Sequence, residues 1–181
     1  MIRRMILAFT LLMAATVVGC NPPDMDANEV MSKVFTDKGV VGGYDFGDSW
    51  DEVKKKHDDV FKVRDDDIKQ LRRPVSDNAG DNGYFIGFRL DKQNKIKSFD
   101  VHISGNKQNA VTVRKLLDDI IARFDKSHSK GSCSRTGRKN SSHCTWPEGK
   151  DKGRVELTYL EMDDPISGII SIQIHPPKGA G

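Results

Sequence analysis

Apolar residues along this chain change their spacing several times, and each change predicts a different kind of element. Met5 to Val18 is a continuous apolar run broken only by Thr10 and Thr16, with Arg3 and Arg4 before it and Gly19-Cys20 after it. Such a run falls short of the ~20 residues that span a bilayer, and its positive start reads as an export leader. From Cys20 to about residue 41 the chain is mostly polar. Asn21-Pro22-Pro23 begins a stretch expected to act as a tether, with a short helix around Glu29 to Phe35.

A helical rhythm starts at Ser49. Trp50, Val53, His57, Val60 and Phe61 recur on one helical face, and Ser49-x-x-Glu52 is a capping box for the first turn. Lys62 to Gly83 is polar and turn-rich, which predicts loops with part of the stretch as an edge strand. Period two then takes over. Tyr84, Ile86, Phe88 and Leu90 alternate with smaller or charged residues, Asp91-Lys92-Gln93-Asn94 turns, and Phe99, Val101 and Ile103 alternate again, predicting an antiparallel hairpin. The helical period returns in Val113, Leu117, Ile120, Ile121 and Phe124, a wide stripe that ends before Gly131.

Two more hairpins follow. Residues 133–136 and 141–144 flank the turn Gly137-Arg138-Lys139-Asn140; Val155, Leu157 and Tyr159 with Ile170, Ile172 and Ile174 flank Asp163 to Gly168. Pro176-Pro177 ends the last strand, and residues 178–181 form a tail. The predicted fold is α+β: two helices packed on a mainly antiparallel sheet built from hairpins, in the order α-ββ-α-ββ-ββ, as one domain over residues 42–177.

Val17-Val18-Gly19-Cys20 resembles the lipobox of bacterial lipoproteins. The resemblance implies removal of a signal peptide over residues 1–19, lipid on Cys20, and a tether over residues 20–41. Asn21 rather than Asp after the cysteine implies the outer membrane under the enteric sorting pattern. A second, looser likeness lies in Phe46-Gly47-Asp48-Ser49-Trp50 before a capped helix, a hairpin with a polar turn, a long amphipathic helix, Trp146 and a final hairpin. Over about residues 42–175 this order resembles small exported lipoproteins of the β-lactamase-inhibitor-protein-like or barrel-assembly-accessory type. It implies a fold and transfers no activity.

Charge narrows the partners. The chain has 29 Lys+Arg and 26 Asp+Glu; two of those bases and no acid precede Cys20, leaving 27 − 26, or +1. A nearly neutral domain argues against nucleic acid. With Cys20 taken by lipid, Cys133 and Cys144 remain as an even pair in an oxidising compartment, and their hairpin register sets them opposite each other as a cross-strand disulfide. A zinc site with His128 and His143 is the alternative, and it lacks C-x-x-C spacing.

Little else carries chemistry. Asp58-Asp59 and Asp65-Asp66-Asp67 match no calcium-loop spacing and sit among lysines and arginines, so they read as a solvated face. The five histidines stand apart, without H-E-x-x-H or G-x-S-x-G. No cofactor or metal is expected. One stretch departs from the background: from Lys126 to Arg154 eight bases stand against Glu148 and Asp151, a local +6. If the disulfide hairpin projects Arg135, Arg138 and Lys139 at its tip, it makes a rigid basic finger for an anionic polymer, lipid or protein patch; an ordinary solvated tip is the plainer reading. The expected function is a lipid-anchored, non-catalytic interaction or structural module of the cell envelope. The alternative is an inhibitor or anionic-ligand-binding protein using hairpin 133–144.

Overall fold

The alternating runs become strands, but there are eight of them in one sheet. The computed structural model describes residues 25–65, 67, 69–74, 83–106, 109–135, 141–148, 153–162 and 166–178. Its elements are α1 (Ala27–Val34), α2 (Trp50–Lys56), β1 (Lys62–Asp65), β2 (Lys69–Pro74), β3 (Gly83–Leu90), β4 (Ile96–Asn106), α3 (Ala110–Ser127), β5 (Ser132–Arg135), β6 (Ser142–Trp146), β7 (Val155–Glu161) and β8 (Ile166–Ile174). The sheet runs β1-β2-β3-β4-β8-β7-β6-β5, antiparallel throughout.

This corrects the expected order α-ββ-α-ββ-ββ and its two helices. The short helix expected around Glu29 to Phe35 is present as α1 and belongs to the domain as a third helix, and the stretch expected to hold part of an edge strand forms a full hairpin, β1–β2, before β3. Both have thin apolar signals. In β1–β2 only Val63 and Leu71 are apolar on the core side, facing each other, while Lys62, Arg64, Lys69, Gln70 and Arg72 surround them. A single buried leucine, 1 % exposed, fixes β2 to the core. In α1 the buried residues are Ala27, Val30 and Val34, at i, i+3 and i+7, and Asp26 caps the helix by accepting from the Asn28 amide at 2.8 Å. Residues 25–41, expected within the tether, therefore contribute a helix and several core side chains.

Helix α2 is shorter than its apolar periodicity predicts. It ends at Lys56 and His57 is already extended. Asp58 breaks it: its carboxylate accepts from the Val60 amide at 3.1 Å and its carbonyl from the Phe61 amide at 2.9 Å, turning the chain so that Phe61 enters the core against Tyr84. The capping box at Ser49 and Glu52 is present.

The strand order contains a repeat. Helix α2 followed by β1–β4, and helix α3 followed by β5–β8, are two helix-plus-meander halves, and β4 pairs with β8 along the seam. The register sets Cys144, Leu157, Ile172, Val101, Ile86 and Leu71 in one row across six strands, all buried. Onto that face pack Val30 and Val34 of α1, Trp50 and Val53 of α2, and Val113, Leu116, Ile120 and Phe124 of α3. Each such side chain contributes about 1.5–3 kcal/mol by leaving water. Each half also holds a buried tryptophan by its indole N–H. Trp50 donates to Asp65 Oδ1 at 2.8 Å, and Trp146 to Asp125 Oδ1 at 2.7 Å.

Candidate functional site

The sheet's second face begins as the polar half of the same alternation. Its middle row is His143, Thr158, Ser171, His102, Phe85 and Arg72, one residue from each of six neighbouring strands. The next row is Gln173, Asp100, Gly87 and Gln70. The described helices pack on the opposite face, so side chains here meet mainly one another. Phe85 stacks on His102 with ring centroids 4.6 Å apart and planes 22° apart. Arg89 Nε donates to Asp100 Oδ2 at 2.7 Å. Farther along, His143 Nδ1 lies 3.1 Å from Thr158 Oγ1.

A cleft of about 700 Å³ opens here, between Lys69 and Gln70 on one side and Asp100, His102 and Gln173 on the other. Gly87 makes the depression. A Cβ there would lie 3.4 Å from Asp100 Cβ and 3.9 Å from the Phe85 ring, so any side chain would fill the floor between them. Gln70, flanking the glycine on β2, is only 6 % exposed. The walls carry Lys69 and Arg89 against Asp67 and Asp100, with an aromatic plate between. Burial holds the His102 imidazole below its ordinary value, with Asp100 pulling weakly the other way, so the ring is neutral at pH 7. A neutral imidazole stacked on Phe85 presents a flat, weakly polar surface rather than a charge.

Among the described residues no hydrogen bond joins His102 to a serine, cysteine or carboxylate, and Asp100 is engaged by Arg89. No group of three or more His, Cys, Asp or Glu side chains among the described residues is placed to hold a metal ion. A second cleft of about 400 Å³ lies between the loop at Val40–Phe46 and the end of α3, walled by Phe124, Val155 and Ile174. Its histidine, His128, is occupied: Nε2–H donates to the Gly153 carbonyl at 3.0 Å and Nδ1 lies 2.8 Å from Ser127 Oγ.

The residues singled out from the sequence sit elsewhere. Cys133 and Cys144 form the disulfide, directly opposite each other on β5 and β6, with Cys144 fully buried and Cys133 exposed. Their hairpin is not a free finger, because β6 pairs with β7 and the hairpin makes the outer two strands of the sheet. Arg135 is exposed at the end of β5. Arg138, Lys139 and Cys20 lie outside the described residues. The cleft was not singled out from the sequence, although a signal was there. Phe85 is the one aromatic on the polar phase of β3, and His102 holds the matching phase of β4.

No helix among the described residues is long and apolar enough to cross a membrane. Comparison with protein-family models, curated proteins and solved structures gives no match for this chain.

Proposed function

We propose that the chain is an envelope lipoprotein, attached through lipid on Cys20 at the outer membrane, whose domain is a non-catalytic module that binds another envelope protein through the uncovered sheet face. The observation that carries the reading is the cleft over Gly87, with the Phe85–His102 plate beside it and charges of both signs at its walls. A half-open cleft with charges of both signs and one rigid aromatic, set in a sheet face that no described helix covers, suits a protein contact, because a small-molecule site encloses most of its ligand. The leader-like run and Val17-Val18-Gly19-Cys20 support the attachment.

The test uses a photoreactive residue at Gln173, on the cleft wall, in membrane-attached protein. A discrete protein adduct that disappears in Phe85→Ala/His102→Ala is the expected result. Adducts no different from those formed at Lys126, on exposed α3 surface, would refute the assignment of the face. Replacing Cys20 with Ser is expected to release the protein from membranes; retention would refute the lipid attachment.

A second reading keeps the anionic-ligand role for hairpin 133–144. Arg135 favours it, being exposed at the sheet edge. Substituting Arg135, Arg138 and Lys139 with Ala without loss of binding to anionic vesicles or cell-wall polymer would remove it.

A further inference from the structure

We propose that the corner of the domain built by Met25, Asn109 and Val111 rests on the lipid surface, which stands the sheet's strands away from the membrane and turns the cleft sideways. The proposal rests on the reading that Cys20 carries lipid. Its first support is where the chain fastens to the domain. Met25 is 3 % exposed, and its amide donates to Asn109 Oδ1 at 3.1 Å. Asn109 is itself buried and bonded to Asn106 Oδ1, so the attachment belongs to the end of β4 and the start of α3. Five Cα–Cα steps separate Cys20 from Met25, and a fully extended chain of that length reaches about 18 Å at most. The link between lipid and folded domain is short against the domain it holds.

The second support is the surface at that corner. Val111, two residues beyond Asn109 on the first turn of α3, is 82 % exposed, and it is the one large hydrophobic so exposed among the described residues. Lys115, one turn further along the same helix face, is also exposed, and no acidic residue stands in the first turn. Of the carboxylates at this end of the sheet, Glu161 accepts from Arg114 at 2.8 Å through one oxygen while its Oε2 has no partner among the described residues, Glu29 accepts from Arg73 at 3.1 Å, and exposed Asp26 accepts from the Asn28 amide at the cap of α1. An apolar side chain with a neighbouring lysine suits the headgroup boundary, the valine going in and the ammonium staying among phosphates.

The opposite end of the sheet stays clear. Strand β4 has eleven residues, and at about 3.3 Å per residue it carries the Asp91–Lys95 turn on the order of 33 Å from the Asn106 end. The cleft lies between these ends, on the flank, where a partner approaches along the membrane plane.

The experiment uses the full lipidated chain in vesicles of phosphatidylethanolamine and phosphatidylglycerol containing a headgroup-level nitroxide quencher. With Cys20 acylated and Cys133–Cys144 oxidised, Val111→Cys and Lys92→Cys each supply one free thiol for a fluorophore. Severalfold stronger quenching at position 111 than at 92 is expected. Equal quenching at both positions, in protein that floats with the vesicles, overturns the orientation and leaves the lipid attachment standing. Protein that carries no acyl mass on Cys20 and does not float overturns both.

Discussion

Single residues carry much of the fixed geometry. Gly153 leaves no room for a side chain: a Cβ there would fall 1.5 Å from the His175 carbonyl oxygen, in a stretch held by the His175 amide donating to Arg154. Gly153→Ala is expected to destabilise the domain by about 3 kcal/mol or more, read as a lowered denaturant midpoint. Asp65 is a different case. Hydrogen bonds from Lys69, Trp50 and Lys54 hold its carboxyl at about 2, below the ordinary 3.8. A depressed carboxylate binds protons in the unfolded chain first, so the stability it supplies is complete above pH 4 and drains away as pH falls toward 2. Urea midpoints at pH 4.5 and 2.5 should separate less in Asp65→Asn than in the parent. His102 adds a loss at milder acidity. Burial lowers its affinity for protons in the fold, so protonation of the unfolded chain costs stability below about pH 6.5. The variant His102→Gln should lack that component.

At the scale of elements, legibility followed the amount of apolar periodicity. The β3–β4 and β7–β8 hairpins and α3 were readable because each repeats its buried residue several times: Tyr84, Ile86 and Phe88, or Ile170, Ile172 and Ile174, or Val113, Ile120 and Phe124. The β5–β6 pairing was readable from its cysteines, which share one register position. By contrast β1–β2 borrows its place from β3, with Leu71 as its buried contact, and α1 spends only Ala27, Val30 and Val34 on the core. Their local pattern is enough to suggest a short helix and an edge strand, and tertiary packing is what makes them parts of the domain. The cleft stayed hidden for a related reason, since it exists only once β8 lies beside β4 and brings Gln173 next to Asp100. Two deletions test the status of α1. Removing residues 1–24 should leave the denaturant midpoint unchanged, while removing residues 1–35 should lower it sharply by exposing the surfaces Val30, Val34 and Phe35 cover. Reducing the disulfide should cost about 3 kcal/mol in the chain-entropy account. Because Cys133 and Cys144 are eleven residues apart on an edge hairpin, hydrogen exchange should quicken in β5 and β6 and stay slow in β4 and β8.

For the whole molecule, the described helices cover one face of the sheet and leave the cleft-bearing face without a helix over it. Gly87→Val probes the cleft from the face opposite the core: it fills the floor, with its Cβ 3.3 Å from the Asp100 carbonyl oxygen, so β4 must give by a few tenths of an ångström to admit it. It should cost about 1–3 kcal/mol of stability, read from the denaturant midpoint, with the domain still folded, and weaken the Gln173 adduct at least tenfold. The seam between halves has a consequence for how the chain is made. Val101 meets Ile172 and Ile103 meets Ile170, so β4 finds one of its two partners only after the last strand has emerged. Contacts of that sequence separation form slowly. Until then β4 is a long apolar edge flanked on one side only, the kind of edge that pairs with strands of other chains. The half-finished chain is thus more adhesive than the finished one, and a nascent copy is safest where its neighbours are few or where a chaperone holds that edge until β8 arrives.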